Sequence, residues 1–412
     1  MDRKNLSIKE FDYRLPDEQI AKYPLEKRDG SKLLVYRDNT ITEDVFSNLN
    51  KHLTLNSFLV FNNTKVIEAR LFFKKPTGTV VEIFCLEPAE KYADVTSAML
   101  KTGTAMWKCL IGNAKKWKDE ILSKKCIIGE NEINLSARKF RQQKDVCLVE
   151  FSWNDDSISF VEILHAAGVM PLPPYLHREA EKEDTQNYQT VYARKMGSVA
   201  SPTAGLHFTK ELLEKLKSQK INHDFITLHV GAGTFMPVKS ETILQHEMHA
   251  EYFEVSKEFV GHLLNHISDN IIAVGTTSLR TLESLYWMAV KLIQISRESQ
   301  TNISIEDILV KQWEPYKLPD HISCGEALQA LLSWMEENRL DKLVGKTQII
   351  IVPPYKLKIV KVLITNFHQP KSTLLLLVAA VIGDNWKKVY DYALSNNFRF
   401  LSYGDSSLIF AP

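Results

Sequence analysis

Four histidines stand in short polar loops, where an imidazole could transfer protons. His207 lies in the stretch GSVASPTAGLHFT, His229 in TLHVGAGTF, His249 in HEMHAEYF and His368 in TNFHQPKST. An imidazole titrates near neutral pH, so it can take up or release a proton under physiological conditions. Each of these histidines alone is more often a structural residue, but four of them in similar loops favour a ligand or catalytic site.

A glycine-rich turn follows one of these histidines. Gly231, Ala232, Gly233 and Thr234 come directly after a short apolar run. The absence of large side chains in such a turn lets a ligand approach backbone N–H groups. Because tight turns also need glycine, the motif by itself is weak evidence for a nucleotide site.

The chain shows no spacing typical of metal ligands. His246, His249 and Glu251 fall close together, but HxxH lacks the i, i+4 spacing and the glutamate of H-E-x-x-H zinc sites. The five cysteines are odd in number and have no CxxC spacing. We therefore predict neither a metal site nor a disulfide framework.

Positive charge is concentrated in one segment. Between Lys101 and Lys144 there are eleven Lys or Arg and four Asp or Glu, with Trp107 and Trp117 in the same run. Such a patch either binds a polyanion such as RNA or forms an ordinary solvated surface. The sequence leaves both readings open, because the formal net charge of the whole chain is only +1.

The elements that must position these loops alternate between strand and helix patterns. Short β-branched runs that end in small polar residues predict strands; these are NSFLVFNN, HDFITLHVG, NIIAVGTTS, TQIIIVPP and KVLITNFH. Helical patterns lie between them; these are TKELLEKLKSQ, SLRTLESLYWMAVKLI, ALQALLSWM and STLLLLVAAVIG. Residues 69–153 instead read as short strands such as GTVVEIFCLE and DVCLVEFSW. We predict an α/β protein with functional loops at the strand ends and a β-rich segment near the N-terminus.

Length and hydropathy bound the class of protein. A chain of 412 residues is long enough for two domains, or for one large domain with an insertion. The longest apolar run, 374–382, is about half the length that crosses a bilayer, and the first residues lack the apolar core of a signal peptide. We predict a cytoplasmic protein that does not associate with a membrane.

Seven blocks of the chain resemble, in order, the signature blocks of one family. The blocks are FDYRLPDEQIAKYPLEKRDGSKLLV, YQTVYARKMGSVASPTAGLHFT, LHVGAGTFMPV, HEMHAEYF, AVGTTSLRTLES, LITNFHQPKSTLLLLVAA and FRFLSYGDSSLI. They are similar to those of the S-adenosylmethionine:tRNA ribosyltransferase-isomerases of queuosine biosynthesis. This resemblance implies a larger α/β domain, residues 1–68 and 154–412, with a smaller β-barrel domain, residues 69–153, inserted near the N-terminus.

The chain departs from the family pattern at a few positions. Lys32 stands where arginine is common, which keeps the charge but loses the bidentate fork. Ser201 replaces a usual alanine, Gln369 a usual leucine, and Pro354 stands in a usual Pro-Gly-Tyr turn. None of these changes removes a charged or titratable group.

The resemblance also implies a reaction and a set of residues. The family moves and isomerises the ribosyl part of S-adenosylmethionine onto a 7-aminomethyl-7-deazaguanine at the tRNA wobble position, releasing adenine and methionine. S-adenosylmethionine is then a co-substrate, tRNA is the partner, and no metal or redox cofactor is expected. We assign catalysis to His207, His229 and His249. We assign substrate binding to Thr203, Gly205, Gly231, Gly233, Thr234, Arg280, Asn366, His368 and Asp405. We assign tRNA binding to Lys115, Lys116 and Lys118.

Two other classes of function compete with this one. A simple RNA-binding module would need the basic segment but not the histidine-bearing loops. A Rossmann methyltransferase that uses the same co-substrate would need a GxGxxG turn, and the chain contains none. The sequence leaves the oligomeric state and the individual proton-transfer roles open.

Overall fold

The protein is a mixed α/β structure built on two large sheets. The computed structural model describes residues 6–143, 146–231, 242–298 and 302–412. The strands are β1 (Lys32–Arg37), β2 (Thr40–Val45), β3 (Ser57–Asn62), β4 (Thr64–Val66), β5 (Arg70–Lys74), β6 (Val80–Pro88), β7 (Thr104–Gly112), β8 (Leu122–Ile128), β9 (Asn131–Gln143), β10 (Val146–Trp153), β11 (Gly168–Val169), β12 (Lys195–Ser198), β13 (Asn222–Leu228), β14 (Glu251–Ser256), β15 (Asn270–Val274), β16 (Lys342–Thr347), β17 (Val362–Asn366) and β18 (Ser406–Phe410). The helices are α1 (Val95–Met99), α2 (Phe160–Ala167), α3 (Asp184–Asn187), α4 (Lys210–Ser218), α5 (Lys257–Asn265), α6 (Thr276–Arg297), α7 (Ile305–Ile308), α8 (Cys324–Glu337), α9 (Thr373–Ile382) and α10 (Asn385–Ser395).

The first sheet has nine strands in the order β16-β14-β13-β3-β15-β17-β18-β1-β2. Its middle strands β13, β3, β15 and β17 run parallel to one another. Successive residues of β3 enter different cores, since Phe58 and Val60 pack on one face and Leu59 and Phe61 on the other. Strands buried on both faces are typical of a parallel sheet covered by helices. This confirms the predicted α/β plan for this part of the chain.

The second sheet has seven strands in the order β11-β5-β6-β7-β10-β9-β8 and is entirely antiparallel. Its strands alternate between a buried core and an outer face, as Val81, Ile83 and Cys85 do against Glu82 and Phe84. The two ends of the sheet approach each other, because β5 contacts β8. The sheet is therefore a curved half-barrel, and it includes Gly168–Val169 beyond the predicted β-rich segment.

Most predicted elements are present, but the prediction of one strand is wrong for all but its first residue. The four predicted helices correspond to α4, α6, α8 and α9, and Thr209 caps α4 through the Leu212 N–H. Only Thr347, the first residue of the predicted strand TQIIIVPP, lies in a strand, because β16 ends at this residue. The residues that follow pair with a neighbouring loop instead, since the Ile350 N–H donates to the Gln312 carbonyl and the Tyr316 hydroxyl to the Ile350 carbonyl. Their apolar character reflects burial in the main core and not strand pairing.

Among the described residues, no helix is long and apolar enough to cross a membrane.

Candidate active site

The carboxyl ends of the parallel strands β3, β13, β15 and β17 meet at one edge of the nine-stranded sheet. Asn62 ends β3, His229 follows β13, Gly275 follows β15 and Asn366 ends β17. Ligands of open α/β sheets bind outside this edge, where loops leave the sheet. The fold therefore gathers the loops singled out in the sequence at the place where a ligand site is expected.

A cleft opens at this edge and encloses about 700 Å³ of empty space, including its mouth. The cleft is lined by Tyr175, Tyr188, Ala200, Ser201, Pro202, Thr203, Ala204, Val230, Gly275, Thr276, Thr277, Thr365, Asn366, Phe367, His368, Gln369, Ser372, Leu374, Leu401 and Ser402. Of the predicted site residues, the cleft wall contains Thr203, Asn366 and His368.

The side-chain amide of Asn366 joins several loops behind the cleft. Its Nδ2 lies 3.0 Å from the Leu401 carbonyl, 3.4 Å from the Ser402 carbonyl and 3.3 Å from His207 Nε2. Since both carbonyls can only accept, the amide nitrogen must face them and the oxygen must face away. Asn366 Oδ1 is buried and has no partner among the described residues. A buried polar atom normally has a partner, so this oxygen is a candidate acceptor for a donor of the ligand.

His207 lies behind the cleft with both ring nitrogens occupied. Its Nδ1 is 2.8 Å from Ser31 Oγ, and its Nε2 faces the Asn366 amide. Burial, together with the nearby Arg399, lowers the pKa of His207 to about 3, so the ring is neutral at pH 7. Because Nε2 accepts from Asn366, we assign the ring proton to Nδ1, which donates to Ser31. His207 thus contacts Asn366 and is not part of the cleft wall.

His368 lies in the wall of the cleft and is held from several sides. Its Nε2 is 2.9 Å from Thr365 Oγ1, and its backbone N–H donates to the Tyr390 hydroxyl at 3.1 Å. The Tyr13 hydroxyl donates to its carbonyl. Burial lowers the pKa of His368 to about 3, so this imidazole is also neutral.

His229 is buried beside the cleft residue Val230, and one of its ring nitrogens is free. Its Nδ1 is 3.2 Å from Thr64 Oγ1, whereas Nε2 has no partner among the described residues. Burial lowers the pKa of His229 to about 4, opposed in part by Asp94. A Cβ on Gly197 would lie 3.0 Å from His229 Nδ1 and 2.3 Å from Val95 Cγ1, so only glycine fits against this ring.

Arg280 is engaged inside the protein. It forms a buried ion pair with Glu251, and the other oxygen of Glu251 accepts from the Gly231 N–H at 3.2 Å. Arg280 thereby positions the start of the glycine-rich turn, although its Nη2 has no partner among the described residues. Gly233 and Thr234 lie outside the described residues.

Two further predicted substrate contacts have structural surroundings. Both oxygens of Asp405 accept hydrogen bonds within the protein, from the Lys32 N–H at 3.1 Å and from the Arg399 N–H at 2.7 Å. A Cβ on Gly205 would lie 2.0 Å from the Tyr192 hydroxyl, so this glycine allows close packing of the turn at 203–207. Neither residue belongs to the cleft wall.

The remaining predicted residues are on the surface. His249 is exposed in the loop before β14 and is not part of the cleft wall. Lys115, Lys116 and Lys118 are exposed on and after a 3-10 turn at 114–116, not on a strand. Within the described ranges, no group of three His, Cys, Asp or Glu side chains could hold a metal ion.

Several cleft residues were not predicted individually. Thr276 and Thr277 begin α6 at the cleft, and Tyr175 contacts Ser402 through their hydroxyls at 2.6 Å. The only signal in the sequence was the polar character of the loops VGTTSLRTLES and SYGDSS. Tyr175 lies in a proline-rich segment that carries no pattern of its own.

The fold and the cleft define a mixed α/β protein with a cleft at the carboxyl edge of its main sheet. A model of the family described as queuosine biosynthesis protein matches residues 8–318 and 320–409, and the chain belongs to this family. The S-adenosylmethionine:tRNA ribosyltransferase-isomerase of Sulfurihydrogenibium sp. (strain YO3AOP1) is 38% identical over 98% of this chain and 100% of its own length. The protein of the same name from Halothermothrix orenii is 38% identical over the same shares of the two chains.

A solved structure is also similar to this chain. The crystal structure of S-adenosylmethionine tRNA ribosyltransferase from Thermotoga maritima is 29% identical, covers 97% of this chain and 100% of its own, and has a TM-score of 0.45.

The three buried histidines predict that stability falls in acid. Folded His207, His229 and His368 have pKa values of about 3 to about 4, whereas an unfolded histidine titrates near pH 6.5. Between these values the unfolded chain binds more protons, so this stability is complete above about pH 6.5 and is lost as the pH falls toward about 3. We expect each histidine to contribute up to about 1.4 kcal/mol per pH unit in this window, measured by urea unfolding.

The variants His207→Gln and His249→Gln provide a matched comparison for this prediction. His207→Gln should flatten the dependence of unfolding free energy on pH, and the exposed His249→Gln should leave it unchanged. Equal slopes in wild type and His207→Gln would contradict the assignment of a neutral buried imidazole.

Proposed function

We propose that this chain is an S-adenosylmethionine:tRNA ribosyltransferase-isomerase of queuosine biosynthesis. It transfers and isomerises the ribosyl part of S-adenosylmethionine onto 7-aminomethyl-7-deazaguanine at the tRNA wobble position. The products are epoxyqueuosine in tRNA, adenine and methionine. The observation that carries the proposal is the family match over nearly the whole chain. The cleft lies at the edge of the sheet where a ligand is expected.

The cleft suits both ends of S-adenosylmethionine. The 22-residue helix α6 begins at Thr276, after its N-cap Gly275, and both residues line the cleft. The free N–H groups and the positive dipole end of the helix therefore face the cleft. We place the methionine carboxylate there, since the guanidinium of Arg280 is paired with Glu251. Asn366 Oδ1 accepts from the adenine amino group or a ribose hydroxyl, and Thr203 contacts the same ligand. Gly205, Arg280 and Asp405 support the site from behind.

We assign proton transfer to His229 and His368. The sulfonium makes the neighbouring C5′ hydrogens acidic, so a neutral imidazole can accept one of them, and adenine must take up a proton as it leaves. His229 Nε2 has no partner in the part of the chain that the structure describes, and His368 lines the cleft. His207 holds Asn366, and His249 has no described contact with the cleft.

The remaining parts of the proposal concern the tRNA and the domains. We retain Lys115, Lys116 and Lys118 as phosphate contacts, because all three are exposed. Trp107 and Trp117 are excluded as stacking platforms, since each is only 1% exposed.

We retain residues 69–153 as a β-barrel domain inserted into the larger domain formed by 1–68 and 154–412. We also propose a cytoplasmic enzyme that needs no metal or redox cofactor, with S-adenosylmethionine as co-substrate.

The products of the reaction give the most direct test of this function. Purified protein, S-adenosylmethionine and tRNA carrying the 7-aminomethyl-7-deazaguanine precursor should yield an epoxycyclopentane nucleoside, free adenine and methionine by mass spectrometry. A methyltransferase would release S-adenosylhomocysteine and methylated tRNA, and an RNA-binding module would change neither substrate. Either of these outcomes would overturn the proposal.

Substitution of the histidines should separate proton transfer from positioning. We expect His229→Ala or His368→Ala to lower kcat by about 10²- to 10⁴-fold, the usual effect of losing an acid or base. His207→Ala should mainly raise the KM for S-adenosylmethionine, because Asn366 loses a partner. These constants are measured under saturating tRNA, with thermal unfolding to confirm that each variant is folded.

His249→Ala is the control, since this exposed histidine has no described contact with the cleft. It should retain wild-type kcat and KM. A loss of kcat in His249→Ala, with full activity in His229→Ala and His368→Ala, would refute the assignment.

A further inference from the structure

A groove on the half-barrel sheet lies outside the proposed active site. It is open to solvent and encloses about 820 Å³ of empty space. It is lined by Ala89, Glu90, Lys91, Met106, Lys108, Phe140, Arg141, Val146 and Leu148. Its walls come from the outer faces of β7, β9 and β10 and from the loop after β6.

A β-bulge turns Phe140 outward into this groove. In the pairing of β10 with β9, Leu148 lies opposite Arg141 and Val149 opposite Lys139, so Phe140 has no partner residue. The extra residue breaks the alternation of inward and outward side chains, and both Phe140 and Arg141 are exposed and line the groove. Phe140 is 59% exposed, whereas most aromatic rings of this sheet are buried in its core.

The charged residues around the ring favour an anionic partner. Lys108 is held by Glu87 at 2.9 Å and by Glu90 at 3.2 Å, so its charge is balanced within the protein. Lys91 and Arg141 form no ion pair within the described ranges of the chain, and they leave two cations beside an exposed aromatic ring. An aromatic platform with flanking cations is the arrangement that binds an unpaired nucleobase and its phosphates.

The groove is connected to the active-site edge through a short series of contacts. Glu90 interacts electrostatically with Lys108 and with Lys346, which lower the pKa of its carboxyl. The ammonium of Lys346 lies 4.5 Å from the ring centre of Tyr252, and the Tyr252 carbonyl accepts from the His229 N–H at 2.8 Å. These contacts link the groove to the residues around His229.

We propose that this groove binds an unpaired nucleobase of the tRNA substrate, stacked on Phe140 with its phosphates near Lys91 and Arg141. The inference rests on the proposed function in one respect, because that function supplies a tRNA substrate. The groove is separate from the predicted contacts at Lys115, Lys116 and Lys118, which follow the far end of β7.

Binding of fluorescently labelled precursor tRNA to the full chain tests the proposal by anisotropy. Phe140→Ala should weaken binding by about 5- to 150-fold, the usual effect of losing one stacked base. Phe140→Tyr should keep the tRNA affinity of the wild type, because tyrosine retains an aromatic ring at this position. Arg141→Ala should flatten the salt dependence by about 0.7 in log–log slope, because one phosphate contact is lost. The KM for S-adenosylmethionine should not change in any of these variants.

Ile127→Ala is the matched control, since Ile127 is 72% exposed on β8 of the same sheet and lies outside the groove. It should bind tRNA as the wild type does. Unchanged tRNA affinity in Phe140→Ala would overturn the proposal. If the molar mass of Phe140→Ala in light scattering also differed from that of the wild type, the groove would be a protein interface. If wild-type protein bound tRNA through Phe140 but formed no epoxy nucleoside, the proposed function would fail and the groove would stand.

Discussion

The orientation of one amide group determines how the candidate site is built. Asn366 Nδ2 is held by two backbone carbonyls of the loop at 401–402 and by His207, and His207 is held in turn by Ser31. These contacts join the ends of β17 and of the 203–207 turn to the start of β1. Because Nδ2 must satisfy these acceptors, Oδ1 can only face away from them. The site thus presents an acceptor whose position is fixed before any ligand arrives.

The electrostatics around the cleft fit a cationic co-substrate. His207 and His368 are neutral at pH 7 because burial disfavours their charged forms. The charge of Arg280 is balanced by Glu251, and that of Asp405 by Arg399. Among the described residues, the cleft wall contains no uncompensated cation that would repel a sulfonium. Like charges at short range in a poorly solvated site cost several kcal/mol (roughly 4 kcal/mol at 4 Å). A neutral imidazole is also the form that can accept a proton.

The sequence predicts the α/β plan and the gathering of loops at strand ends because both follow from local periodicity. It does not predict partners that are distant in the chain, such as Glu251 for Arg280, since nothing in the local pattern marks an ion pair. The apolar run after Thr347 reads as a strand, but its backbone pairs with a loop near Gln312. The outward position of Phe140 depends on a bulge, which is defined by the pairing of β9 with β10 and not by the residues of β9 alone.

A crystal structure of the protein with S-adenosylmethionine would show directly where the co-substrate binds. We expect the ligand to occupy the cleft at the carboxyl edge of the nine-stranded sheet, with a nitrogen or hydroxyl donor within about 3.2 Å of Asn366 Oδ1. Its methionine carboxylate should face the first turn of α6. A ligand bound outside this cleft would contradict the proposed site. So would a ligand that leaves Asn366 Oδ1 without a partner while its carboxylate displaces Glu251 from Arg280.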